Sequence, residues 1–163
     1  MKKAIFFDRD GVLIDNSKHY YIYRKEAVEF VDGVFENLRL LKAQGYSFFI
    51  VTNQGGIAKN QYGHEEVATV HRYIQESFLR EGIHFDDIYY CPHHDSVEPC
   101  LCRKPNSLML EKLIAKHGID PTQSYLIGDR QSDIQAAQSA GVKGIQITAN
   151  SNMKSFIQKL LSS

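Results

Sequence analysis

Two kinds of apolar pattern alternate along the chain. Short runs of β-branched and aromatic residues stand at Ala4–Phe7, 46–51, 87–90, 125–127 and 144–147, and each reads as a strand. Between them, apolar side chains recur three and four apart, as in Val34, Leu38 and Leu41, or Val67, Val70, Ile74 and Phe78. That spacing predicts helices over 34–44 and 65–80. The same reading gives helices over 108–116 and 132–140, with Gly45, Gly118 and Gly141 standing where helices stop. A last amphipathic stretch carries Phe156, Leu160 and Leu161 and reads as a tail helix. Strand and helix in alternation predict an α/β fold, with a central parallel sheet and helices on both faces. Residues 1–163 form one domain on this reading, since the chain is too short for two comfortable cores.

In folds of this kind, chemistry collects beyond the carboxyl ends of the strands. The first strand runs into Asp8-Arg9-Asp10-Gly11, the second into Thr52-Asn53-Gln54-Gly55, and the fourth into Gly128-Asp129. Asp8 and Asp10, two apart, lean the same way if the backbone stays extended. Asp129 and Asp133, four apart at a helix start, meet on one side of it. Carboxylates converging like this repel one another, and a hard cation such as Mg²⁺ resolves the repulsion while keeping places for water or phosphate oxygen. Thr52 and Lys104 are then suited to hold phosphate oxygens. Each feature alone has a plainer explanation: a strand-end turn, an exposed loop, or a charged helix N-terminus. Their gathering on one sheet edge argues for a site.

The third strand runs into "CPHHDSVEPCLCRKP", which holds all three cysteines of the chain. Cys91, His93, Cys100 and Cys102 offer three thiolates and an imidazole, a complete tetrahedral set for structural Zn²⁺. A disulfide would strand one cysteine, and clustered cysteines in a reducing compartment read as metal ligands. His94 is left over as a solvent-facing or substrate-loop residue.

The stretches "FFDRDGVL", "IVTNQGG", "CRKP" and "LIGDRQSD" resemble, in order, the four motifs of the haloacid-dehalogenase superfamily of phosphatases. The resemblance implies a three-layer α/β/α, Rossmann-like, cap-less domain with a small zinc loop at 91–102. It implies Asp8 as the nucleophile that forms an aspartyl-phosphate and Asp10 as the general acid and base. It also implies Mg²⁺ on Asp8, the Asp10 carbonyl and Asp129, with Thr52 and Lys104 holding the transferring phosphoryl group. Asp133 would orient Lys104 or reach the metal through water, and Arg130 would contribute through its backbone. The zinc loop is similar to that of small phosphatases acting on D-glycero-D-manno-heptose 1,7-bisphosphate or on histidinol phosphate. The stretches "EFVDGV", "TNQGGIAKNQY" and "IYYCPHH" lean toward the heptose bisphosphate, while the loop length and "GDRQSDIQ" lean toward histidinol phosphate. The sugar bisphosphate is the expected substrate. Asn53, Arg103, Asn16 and His19 are its expected contacts.

Bulk properties narrow the field further. Lys plus Arg balances Asp plus Glu at 19 each, so no global charge points to nucleic acid or an anionic membrane. No apolar run approaches the roughly 18 residues of a membrane span. The N-terminal apolar run, Ala4–Phe7, is four residues and too short for a signal-peptide core, so a cytoplasmic monomer is the expectation. Two readings from other classes fit part of the pattern. A phosphorylated receiver shares strand-end aspartates and a Lys-Pro, and a zinc-binding module shares the cysteines; neither accounts for Asp8 and Asp10 together with the zinc ligands.

Overall fold

A computed structural model describes residues 1–163. Five parallel strands form one sheet: β1 (Ala4–Phe7), β2 (Ser47–Asn53), β3 (Asp87–Cys91), β4 (Tyr125–Gly128) and β5 (Lys143–Gln146). Their spatial order is β3-β2-β1-β4-β5. The chain steps outward from β1 on one side and returns to continue on the other, so the crevice beside β1 is the switch point where such sheets place ligands. The helices are α1 (Val34–Ala43), α2 (His64–Arg80), α3 (Leu108–His117), α4 (Gln131–Ser139) and α5 (Lys154–Ser162).

Alternation along β1 divides the interior. Ile5 and Phe7 face a larger apolar cluster shared with Leu38, Leu41, Val70, Ile74 and Phe78 of α1 and α2, and with Ile157 of α5. Ala4 and Phe6 face a second cluster built with Met109, Leu110 and Leu113 of α3 and Ala136 and Ala137 of α4. The sheet is therefore covered on both faces, and every residue of β1 is buried. The expected α/β/α layering is observed, and the predicted strands differ from the observed ones only at their ends. Strand β2 runs two residues past the prediction, because Thr52 and Asn53 still pair with Tyr90 and Cys91 of β3.

Four connections at the carboxyl edge carry what the scaffold presents. They are the stretch between β1 and α1, the turn between β2 and α2, the cysteine loop between β3 and α3, and the turn between β4 and α4. No helix is long and apolar enough to cross a membrane.

Candidate active site

Asp8 leaves the end of β1 almost wholly buried, and its backbone N–H still bonds the Ile127 carbonyl of β4. Lys104 crosses to it from the cysteine loop: Nζ donates to Asp8 Oδ1 at 3.0 Å and to the Val51 carbonyl at 2.9 Å, and it is paired with Asp133 Oδ1 as well. Asp133, from the first turn of α4, is buried and also accepts from the Arg130 N–H at 3.2 Å. Asp8, Asp129 and Asp133 bring a carboxylate oxygen each to within 4.8 Å of one another. The strand-to-helix turn permits this crowding because Gly128 has no side chain: a Cβ there would stand 2.3 Å from Asp133.

Three carboxylates against one ammonium leave the cluster short of positive charge. Burial pushes the Asp8 carboxyl well above the usual carboxylate range; Lys104 opposes this, and Asp133, Asp10 and Asp129 add to it. Burial likewise raises Asp129. Burial alone would lower Lys104, but Asp8 and Asp133 outweigh it and hold the ammonium above its ordinary value. Asp129 Oδ1 is buried with no hydrogen-bond partner. An orphaned carboxylate oxygen facing two other carboxylates is the donor set of a hard divalent cation.

The Asp10 carboxylate stands apart from this cluster. Gly11, at φ +87°, turns the chain immediately after Asp10, and Asp8 and Asp10 both line the same pocket. Arg9 wraps back onto Asp10, with Nε 3.2 Å from both oxygens and Nη2 3.0 Å from Oδ1. Gln54 Nε2 donates to Asp10 Oδ2 at 3.1 Å and to Thr52 Oγ1 at 2.9 Å. Thr52 is buried beneath the pocket floor, with its hydroxyl against Gln54.

The four expected zinc ligands do meet. Cys91, His93, Cys100 and Cys102 bring their donor atoms within 4.8 Å of one another, and all three cysteines are free thiols. His93 presents Nδ1, at 3.4 Å from Cys91 Sγ and 3.3 Å from Cys102 Sγ. The Cys91–Cys100 sulfur separation is 3.7 Å, close to the ~3.8 Å edge of a tetrahedron with zinc–thiolate arms of about 2.3 Å, while Cys91–Cys102 is tighter at 2.8 Å. Burial raises the Cys91 and Cys102 thiols, whereas Cys100 is lowered because the Arg103 N–H and the neighbouring thiols outweigh its burial. The cluster is compatible with zinc, and it steers the next residue: Arg103 N–H points at Cys100 Sγ (3.4 Å), and Arg103 Nη1 donates to the His93 carbonyl at 3.1 Å.

One pocket joins these parts. Asp8, Asp10, Asn16, Asn53, Arg103, Lys104, Arg130 and Asp133 all line it, whereas Thr52 and Asp129, expected at the same site, do not. Asn53 also clasps the Lys104 backbone, donating from Nδ2 to its carbonyl at 3.2 Å and accepting its N–H at 3.0 Å. His19 does not line the pocket. It sits exposed on the outer part of its loop, and Tyr20, Tyr21 and Ile22 form that wall instead. Arg9, Gln54, Gly55, Asp95, Pro105 and Ser132 also line it without having been singled out as contacts, and His94, read as a solvent-facing or substrate-loop residue, lines it as well.

Residues 101–160 match the family model described as HAD-hydrolase-like. The chain is 40% identical over 148 residues to the D-glycero-beta-D-manno-heptose-1,7-bisphosphate 7-phosphatase of Pasteurella multocida, spanning 88% of this chain and 79% of that protein. It is 41% identical over 152 residues to the D-glycero-alpha-D-manno-heptose-1,7-bisphosphate 7-phosphatase of Campylobacter jejuni, spanning 93% of this chain and 85% of that protein. The crystal structure of D,D-heptose 1,7-bisphosphate phosphatase from B. bronchiseptica, complexed with magnesium and phosphate, superposes with a TM-score of 0.83 at 26% identity, over 96% of this chain and 86% of that one. Fold and motifs define a haloacid-dehalogenase-type hydrolase. Within that class, the chain belongs to the family of the D-glycero-D-manno-heptose-1,7-bisphosphate 7-phosphatases.

Proposed function

We propose that this enzyme removes the C7 phosphate of D-glycero-D-manno-heptose 1,7-bisphosphate through an aspartyl-phosphate on Asp8. The observation that carries the reading is the arrangement of cations in one pocket. Lys104 is bound to the Asp8 carboxylate, and Arg103 and Arg130 line the same cavity. A substrate with one phosphate at Asp8 and another farther along would meet a positive group at each end. Histidinol phosphate carries amino and imidazole groups where the second phosphate would be, so the same arginines disfavour it.

Asp8 Oδ1 is engaged by Lys104 and by the Arg9 N–H at 2.9 Å, which fixes the carboxylate plane and leaves Oδ2 to attack phosphorus. Lys104 then has the transferring oxygens within reach, and Asp133 keeps its ammonium aimed. Asp10 protonates the departing sugar oxygen and takes a proton from the water that opens the mixed anhydride. Mg²⁺ would be held by Asp8, Asp129 and the Asp10 carbonyl and would neutralise charge between nucleophile and phosphate. Cys91, His93, Cys100 and Cys102 would hold Zn²⁺ with four protein ligands, which would serve to fix the loop.

The test is kcat/KM under Mg²⁺ for both anomers of the heptose bisphosphate and for histidinol phosphate. Either anomer is expected to exceed histidinol phosphate by at least about a hundredfold, and the reverse order would overturn the substrate assignment. Asp8→Asn is expected to lose nearly all turnover, at least about 10³-fold, while keeping its circular dichroism spectrum. Retained turnover would remove Asp8 from the mechanism.

A further inference from the structure

The motif that supplies the nucleophile and the acid/base contains a third ionisable side chain, Arg9, which is just 1% exposed. A buried guanidinium needs partners for a set of N–H groups fixed in one plane. Nε and Nη2 point at the Asp10 carboxylate, Nη2 also donates to the Ile22 carbonyl at 2.8 Å, and Nη1 lies 3.2 Å from His71 Nε2. Arginine can only donate, so His71 accepts through Nε2 and carries its proton on Nδ1. His71 comes from the middle of α2, is 7% exposed and does not line the pocket. Burial and the facing Arg9 push its ring down to about 3, which keeps it the neutral acceptor this contact requires.

The opposite side of Asp10 is held just as definitely. Tyr62 Oη donates to Gln54 Oε1 at 2.6 Å, which turns the Gln54 amide nitrogen toward Asp10 Oδ2. Asp10 keeps 21% of its side chain exposed, toward the cavity.

We propose that Arg9, braced from behind by His71, is the positioning residue for Asp10: it fixes the plane of the carboxylate that exchanges a proton with the leaving oxygen and with water. The inference rests on the reading of Asp10 as general acid and base. Arginine suits the task because it gives up no proton of its own, so the proton that moves is the one on Asp10. A lysine at this place would hold one oxygen without fixing the plane. His71 braces the guanidinium at Nη1, the end that neither Asp10 nor the Ile22 carbonyl holds.

The experiment compares Arg9→Lys, His71→Leu and His71→Gln with the wild type on two esters under saturating Mg²⁺. One is a sugar phosphate, whose alkoxide needs a proton to leave. The other is 4-nitrophenyl phosphate, whose nitrophenolate does not. Single-turnover rapid quench reads the first step, release of the alcohol. General acid catalysis contributes about 10²–10⁴-fold, and a displaced acid forfeits part of it. Arg9→Lys and His71→Leu are expected to slow the sugar ester about 10- to 100-fold and the nitrophenyl ester by less than about fivefold. KM for His71→Leu should stay within about threefold, and His71→Gln, which restores an acceptor, should recover most of the rate. Equal losses on both esters would overturn the proposal, as would His71→Leu and His71→Gln behaving alike. Should Arg9→Lys fail to fold, the two His71 variants decide the matter alone. Absence of turnover by the wild type on both esters and on the heptose bisphosphates would instead overturn the phosphatase reading itself.

Discussion

Lys104 reaches Asp8 across 96 positions of sequence, and its ammonium is almost wholly buried between two carboxylates. Removing one partner from a buried charge cluster is far costlier than removing a surface pair, because the remaining charges lose both water and counter-ion. Lys104→Met is therefore expected to lower unfolding free energy by about 3–5 kcal/mol in metal-free buffer, read by urea denaturation. Added Mg²⁺ should recover part of this loss by replacing the missing positive charge, and turnover should stay abolished. A loss below about 1 kcal/mol would mean that Asp8 takes up a proton instead. At this scale the sequence was a good guide to residues that carry charge at strand ends and a poor guide to those behind them. Arg9 reads as a spacer between two aspartates. His71 had a signal: it stands four residues after Val67, among the apolar positions of α2, where a polar residue needs a partner. Nothing local could name Arg9 as that partner.

The cysteine loop behaves as an element in its own right, although it has no regular structure. Its sulfur atoms and His93 hold Arg103 through the Cys100 sulfur and the His93 carbonyl, while Lys104 has separate anchors in Asn53 and the carboxylates. The two basic residues therefore depend on the loop to different degrees. Cys100→Ser is expected to lose the roughly one zinc per chain that the native protein should carry, measured by metal analysis. Its KM should rise about tenfold or more with a smaller change in kcat, and the far-ultraviolet circular dichroism should be unchanged. A fall in kcat at constant KM would mean that the loop positions Lys104 and not Arg103. The ligands were legible in the sequence because metal chemistry restricts both residue type and number. The pocket wall of Tyr20, Tyr21 and Ile22 was not, because a loop's path depends on what it packs against. Tyr21 stacks edge-on with Tyr62 at 5.6 Å, and the Ile22 carbonyl is tied to Arg9, contacts that no spacing rule encodes.

At the level of the whole molecule, the same buried histidine links stability to pH. His71 is held near 3 in the folded chain against about 6.5 when unfolded, so between those values the unfolded state binds the extra proton. Its contribution is complete above about pH 6.5 and is lost as pH falls toward 3, at about 1.4 kcal/mol per unit. Arg9 and the Tyr90 ring of β3 are the polar groups against it. Asp8, raised in the fold, acts with the opposite sign in the acid range, so the useful quantity is a difference between variants. Between pH 7 and 5, wild type is expected to lose about 2 kcal/mol more than His71→Gln, measured by denaturant unfolding with metal removed. Parallel curves would show that the ring is not held neutral. The fold itself was the most legible feature of all, since alternation of period two and period 3.6 is written along the chain. The order of the strands in space was not, because pairing partners far apart leave no mark on local pattern.

That order has a cost in time. The catalytic strand is made well before one of its flanks, β4, and the Ala4 N–H waits for the Ser124 hydroxyl 120 residues downstream. A nascent chain on the ribosome thus exposes a bare, apolar strand edge until residues beyond Tyr125 have cleared the exit tunnel. A translation stall between β3 and β4 would leave that edge in the open, where chaperones or a second nascent chain would meet it before the enzyme's own fourth strand does.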